Sequence, residues 1–333
     1  MAEKPLAIDY DFIRPMLDIR ILILHPGTGN DPISCSLYHA ARGQKQYLAL
    51  SYEWGKESDD DPSILIQERP VRIRQNLHEA LQYIRMPSQD LALWVDAICI
   101  NQSDTREKSF QVTKMGETFA SANSVIAWIG PAKDNSDVAM DWMSDTAMLL
   151  QRLPRCREDS FESAALLSLC SRPYWRRLWI IQEIFLSSNY WVQCGEKLIH
   201  GDTFERSLAA LNTAINDKLH RSPAEQHRMA RELHSRMPDL NVLSRWISMS
   251  ITGQFQCSRE HDWIYALLGI SHDYREKSVE VDYTKPPLEL YLEVLKKGFL
   301  TWRSGTQQRR VQLAEKMNLN MDSDLRAAIK FYP

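Results

Sequence analysis

Neither sign of charge dominates this chain. Its 40 Lys and Arg stand against 43 Asp and Glu, a net charge of −3, so nothing in the balance points to a nucleic-acid partner. The basic cluster of Arg172, Arg176 and Arg177 is local and reads as a solvated or ion-paired face. The six cysteines (Cys35, Cys99, Cys156, Cys170, Cys194 and Cys257) show no CxxC pair and no Cys/His ligand spacing. That excludes the familiar metal-binding patterns and reads as reduced thiols. No apolar stretch approaches the roughly 18 residues that cross a bilayer. The opening MAEKPLAIDYDF lacks the basic start and apolar core of a signal peptide. The expectation is a soluble, cytoplasmic protein with no membrane span. There is no Walker loop and no G-x-G-x-x-G. No Ser-His-Asp or Cys-His pattern is suggested, so nucleophilic catalysis has no support.

What is present is ordinary globular composition, 44% hydrophobic and 25% charged over 333 residues, enough for one large or two medium domains. The most informative stretch is residues 93–130, LWVDAICINQSDTREKSFQVTKMGETFASANSVIAWIG. Residues 93–100 are almost all apolar, as a parallel strand covered on both faces would be, with Asp96 in their midst. Asn101, Gln102, Ser103 and Asp104 read as a turn, and Asp104 with Glu107 has capping-box spacing. Val112, Met115, Phe119 and Ala122 then recur at helical spacing, and residues 124–130 return as a strand. The pattern is a βαβ unit whose right-handed crossover puts the polar turn at the carboxyl end of the first strand, where α/β ligand crevices form.

Upstream, residues 19–25 and 34–39 read as a hairpin, 47–54 as an apolar strand, and 64–67 with 71–73 as a second hairpin. Residues 76–85 read as a helix with Asn76 as its N-cap. Downstream, helices are expected over 136–150, 161–170, 174–186, 262–269 and 288–300. A charged connector is expected at 154–160, a strand at 190–194, and a helix capped by Asp202 or Thr203 running through 214. Residues 279–283 form a short extended piece. Residues 217–240, rich in Arg, His and Glu, read as a solvated helix or a mobile insertion. The chain beyond about residue 305 reads as a polar tail, the stub of a longer protein.

Three blocks in order, YLALSYEWG (47–55), residues 93–130 and RPYWRRLWIIQEIFLS (172–187), resemble the heterokaryon-incompatibility (HET) domain of filamentous fungi. VRIRQNLHEALQYIR, YALLGI and VDYTKPPLELY add to the likeness, which covers roughly residues 18–300. Glu260-His261-Asp262-Trp263 departs from the family's usual Asp-Pro-Arg-Asp type of turn. The resemblance implies a core over 18–216, a helical continuation over 217–305 and the tail over 306–333. It also implies a role in non-self recognition with cell death as the output, and an NLR-type or other incompatibility partner. HET domains in turn resemble TIR domains. That implies an α/β fold with a TIR/flavodoxin-like, mostly parallel sheet flanked by helices, carrying extra hairpin and helical insertions. It also implies self-association and, in many TIR domains, cleavage of NAD. Leu50-Ser51-Tyr52 resembles the TIR first-strand signature, and Trp179 to Glu183 repeats the Trp-x-x-x-Glu spacing around a catalytic glutamate.

On this likeness Glu183 is the candidate catalytic carboxylate, able to support an oxocarbenium-like ribosyl transition state. Its apolar neighbours would raise its pKa; the plainer reading is a structural ion pair with Arg172, Arg176 or another arginine. Ser51, Tyr52 and Trp54 end a sheet strand and are candidates to contact substrate, against Trp54 as core and Ser51 as a cap. Asn101, Gln102 and Arg106 are candidates for ribose or phosphate contact, against satisfying the turn and helix N-terminus. Asp96 is expected to brace the Ser51–Trp54 loop, with Trp179 as structural support. No metal and no resident cofactor is expected; NAD enters as a candidate substrate. A non-catalytic assembly module and a small-molecule sensor remain the competing classes.

Overall fold

The computed structural model describes residues 8–44, 46–152, 160–214, 217–273, 279–301 and 305–332. The described strands are β1 (Asp18–Leu24), β2 (Ser34–Ala41), β3 (Leu48–Tyr52), β4 (Ser63–Ile66), β5 (Arg69–Arg72), β6 (Leu91–Trp94), β7 (Ser124–Trp128), β8 (Tyr190–Cys194) and β9 (Lys197–His200). They form one mixed sheet in the order β5-β4-β2-β1-β6-β3-β7-β8-β9. Its centre, β6-β3-β7-β8, is parallel. The β1–β2 and β4–β5 hairpins and the β8–β9 pair supply antiparallel flanks. Numbered by chain position, the four parallel strands run 2-1-3-4, the flavodoxin-like order of a doubly wound sheet. The apolar runs explain the arrangement: every residue of β7 is buried, which only a strand covered on both faces allows.

The helices are α1 (Gln75–Ile84), α2 (Asp96–Cys99), α3 (Thr105–Thr113), α4 (Met115–Ala120), α5 (Ser136–Met143), α6 (Thr146–Arg152), α7 (Phe161–Cys170), α8 (Ile180–Phe185), α9 (Gly201–Ala214), α10 (Asp217–His220), α11 (Pro223–Arg236), α12 (Leu243–Thr252), α13 (Asp262–Leu268), α14 (Pro287–Lys296), α15 (Thr306–Lys316) and α16 (Ser323–Phe331). Helix α1 packs on β3 and α5 on β8 and β9, while α4 packs on α8 and α8 on β7. Helices α11 and α13 then pack against α8. Gly269, just past α13, makes that approach possible, since a Cβ there would lie 2.4 Å from Gln182 Oε1.

Several local expectations change in three dimensions. The strand expected over 93–100 stops at Trp94, and Asp96 opens the helical turn α2 with its Oδ1 accepting from Ala97 N at 2.7 Å. A carboxylate buried inside a strand would be costly without donors; at the strand end the turn supplies one. The helix after Asp104 is real but breaks at Lys114. Asp104 caps it by accepting from Arg106 N and Glu107 N, whereas Glu107 turns to Arg20 instead of completing the box. Asn76 is not the cap of α1, which starts after Arg74 without a side-chain cap. Its amide instead donates to Glu53 O and accepts from the Trp128 indole at 3.0 Å.

The helix expected over 174–186 is interrupted. Pro173–Arg176 is a single 3₁₀ turn, and Arg177 is extended before α8 begins. Gln256 forces this break by accepting from Leu178 N at 2.8 Å and donating to Arg176 O at 2.6 Å. Residues 217–240 are neither a solvated helix nor a mobile insertion. Helix α11 buries Ala224, Glu225, His227 and Ala230, with Arg228 pairing Glu225 at 2.7 Å, so paired polar groups make the buried side look hydrophilic in sequence. The stretch beyond 305 holds two helices. Buried Arg310 donates to Leu300 O at 2.7 Å, Ile329 O at 3.0 Å and Tyr332 O at 2.7 Å, docking them on the body. Residues 279–283 stay outside the sheet. Nearly all of the connector expected at 154–160 lies outside the described residues. No described helix is long and apolar enough to cross a membrane.

Candidate functional site

A cleft of about 500 Å³ opens at the carboxyl ends of β3 and β6. One wall carries Trp54, Lys56 and Arg74, the floor Asp96 and Gln102, and the facing wall Lys108, Arg177, Trp179, Arg259, Asp262 and Tyr283. Parallel strands end here together, so their turns diverge and leave space, as in other doubly wound sheets.

Glu183 sits beside this cleft but not on its surface. Its carboxylate is buried, with only 1% of the side chain exposed. Arg177 grips it in fork geometry, Nη1 to Oε2 and Nη2 to Oε1, both at 3.0 Å. Ser51 donates its hydroxyl to Oε2, and the Ser51 and Tyr174 hydroxyls meet at 2.7 Å. Burial opposes the Arg177 charge, but the adjacent carboxylate outweighs it and raises that pKa. Burial, followed by the charge of Glu183, raises the Tyr174 pKa as well, keeping the phenol neutral. Three donors thus hold Glu183, and Arg177 stands between it and the cleft. The pairing arginine is neither Arg172 nor Arg176; Arg172 is occupied by the carbonyls of Ile129 and Pro131.

Asp96 is the carboxylate on the cleft floor. Its Oδ2 accepts from the Trp54 indole at 2.9 Å, and the Tyr52 hydroxyl also bonds to it. Burial first, then the charge of Glu183, pushes its pKa up to about 6, with Arg177 pulling the other way. Gln102 donates to Asp96 O at 2.9 Å, while its Oε1 is buried with no partner in the chain. Gln102 is thus a cleft-lining residue with one buried acceptor unsatisfied within the chain. Asp262 forms a second carboxylate wall, accepting from Tyr283 OH at 2.8 Å and from the Trp179 indole, with its pKa raised by burial.

Of the residues singled out from the sequence, Trp54, Asp96, Gln102 and Trp179 meet at the cleft surface. Ser51 and Tyr52 are buried behind it, because their strand is covered on both faces up to its last residue. Asn101 and Arg106 are outside the lining. Asn101 ties the turn through Ser103 N, and Arg106 lies over the Phe110 ring at 5.9 Å. Lys108, Arg259, Asp262 and Tyr283 carried no sequence signal as site residues. The last three come from the C-terminal layer, and only the folding of α13 against α8 brings them to the cleft. Cys257 also lines it, but burial raises its thiol pKa, the opposite of an activated nucleophile. Among the described residues no His, Cys, Asp and Glu cluster could hold a metal.

The parallel core and strand-end cleft define an α/β protein whose cleft lies at the carboxyl ends of central strands. Residues 47–183, which hold β3, β6, β7 and Glu183, match the family model described as Heterokaryon incompatibility protein (HET). The chain is 26% identical to "Heterokaryon incompatibility protein 6, OR allele" of Neurospora crassa, over 81% of this chain and 50% of that protein. It therefore spans about half the length of the curated relative it matches. No solved structure matches. Residues 47–183 are thus identified as a HET domain.

Proposed function

We propose that this chain is an effector of fungal non-self recognition whose cleft binds a small ligand, with NAD as the candidate substrate. The unpartnered buried acceptor Gln102 Oε1 in a cleft walled by Trp54 carries the ligand-binding part. The recognition role rests on the HET family and on the name of the Neurospora relative. The TIR-like reading draws support from the 2-1-3-4 order of the parallel strands and from Ser51 and Glu183 meeting at one spot. In NAD cleavage, water attacks the ribosyl C1′, the bond to the nicotinamide nitrogen breaks, and nicotinamide, ADP-ribose and a proton are released. A carboxylate supports the positive charge on the ribosyl ring as the bond breaks. Glu183 performs that role only once Arg177 has left it, so the arrangement described is a resting one, and assembly of copies is the step that releases the clamp.

One observation favours a second reading. A carboxylate saturated by Arg177 and Ser51 is a structural strut, which fits a non-catalytic self-association module. NAD consumption measured across protein concentration separates the two. The enzyme reading expects activity that rises more steeply than linearly with concentration and disappears in a folded Glu183→Gln variant. No turnover at any concentration leaves the module, whereas full turnover in Glu183→Gln removes Glu183 as the catalytic carboxylate.

A further inference from the structure

We infer that Lys108 and Arg259 form an anion subsite in the cleft wall, built to take a phosphoryl group. The inference rests on the cleft being the ligand site and names the chemistry of one end of its occupant. The two cations come from distant parts of the chain, α3 and the loop before α13, yet converge on one ring. Lys108 Nζ lies 5.3 Å from the Tyr283 centroid and Arg259 Cζ 5.2 Å from it. The ring is itself fixed, because the Tyr283 hydroxyl donates to Asp262 at 2.8 Å. No described carboxylate or carbonyl accepts a hydrogen bond from either head group. Of the other cations that line the cleft, Arg177 is committed to Glu183 and Arg74 to Gly55 O at 2.6 Å, while Lys56 is solvent-exposed.

Two like charges on one platform repel; Asp262 lies near both, but its oxygens already serve Tyr283 and Trp179, and Lys108 also feels Asp96. Burial, then the charge of Arg259, lowers the Lys108 pKa, and the charges of Asp262 and Asp96 offset this only in part. An anion within reach of both would offset their repulsion. Several acceptor oxygens on a tetrahedral centre suit a guanidinium fork and an ammonium approaching from separate elements. A neighbouring wall of Trp54 and an orphan acceptor at Gln102 make a phosphorylated organic molecule a better fit than a bare ion.

Calorimetric titration of the full chain with ADP, adenosine and inorganic pyrophosphate tests this, using wild type, Lys108→Gln and Arg259→Gln. Both side chains reach the cleft rather than the core, so both variants should melt like wild type; circular dichroism checks this. ADP should bind wild type at least about tenfold tighter than adenosine. Each variant should lose about tenfold or more for ADP while adenosine is unaffected. Pyrophosphate should raise the wild-type melting midpoint and leave that of the double variant unmoved. Binding of pyrophosphate as tight as that of ADP identifies a free phosphate as the ligand source and still supports the subsite. ADP affinity unchanged in the variants overturns the subsite, as does the absence of any ADP or pyrophosphate binding to wild type. NAD turnover unaffected by both variants overturns the subsite and leaves the enzyme reading standing; loss of ADP binding in a protein that never consumes NAD does the reverse.

Discussion

Two buried arginine–glutamate pairs hold this sheet, and they differ in where they point. Arg20 and Glu107 join Nη1 to Oε1 at 2.5 Å and Nη2 to Oε2 at 3.0 Å. Arg20 also donates to Asp11 O at 2.8 Å and Cys99 O at 3.2 Å, and Glu107 accepts from Asn101 N at 2.8 Å. The whole group faces protein and staples β1 to the turn before α3. Arg177 and Glu183 share the same fork chemistry, but 16% of the Arg177 side chain is exposed and it forms part of the cleft wall. A buried ion pair is weak evidence for either stability or function taken alone. What separates a strut from a site here is whether one partner can reach space that another molecule can enter.

That contrast can be broken most directly by removing the glutamates. Glu107→Ala leaves Arg20 charged and sealed in, so urea unfolding should show a loss of about 3–5 kcal/mol. Glu183→Ala should lose less, about 2–3 kcal/mol, because the freed guanidinium can be rehydrated from the cleft. If Glu183→Ala proves the costlier of the two, the distinction between sealed and cleft-facing pairs is wrong.

Asp96 sharpens the comparison through pH. Its carboxyl, raised from 3.8 to about 6 in the folded protein, binds its proton more tightly when folded than when unfolded. Stability from this group is therefore present below about pH 4 and is lost as pH rises to about 6. Because the group borders the cleft, the loss should be about 2 kcal/mol rather than the full value of the shift. Subtracting the urea stability of Asp96→Asn from that of wild type across this window isolates it; a flat or rising difference refutes the assignment. The smallest effect belongs to Asp104, whose side chain caps the helix that carries Glu107. Asp104→Ala should cost about 1 kcal/mol, and in a Glu107→Ala background the two losses should fall short of additive, because the cap positions the glutamate.

Much of the parallel core was legible. The apolar runs that became β3 and β7 read as covered strands, and residues 190–194 as a strand, whereas their order in the sheet was only implied by the TIR resemblance. The polar turn after β6 was legible as a strand-end crevice from the right-handed crossover rule. The end of β6 at Trp94 was not, because Asp96, Ala97, Ile98 and Cys99 continue the apolar run and only the hydrogen bonds of the turn distinguish them. The break at Arg177 was hidden too. Residues 174–186 have helical periodicity, and the strand-like bridge to Gln256 that overrides it involves a residue far along the chain. Helix α11 misled in the opposite direction, since Glu225 and His227 look solvated until their neighbours are known.

The sequence by itself determined the α/β class, the parallel centre of the sheet and the HET resemblance, because these depend on short-range periodicity and contiguous blocks. It also marked Glu183 and Asp96 as carboxylates in apolar surroundings. Only the tertiary structure decided which of them meets the cleft. Glu183 is withdrawn behind Arg177, Asp96 is on the floor, and Lys108 and Arg259 come together over Tyr283. Those outcomes depend on contacts from Trp54 to Asp96, from Ser51 to Glu183 and from Lys108 to Tyr283, which no local pattern in the sequence sets.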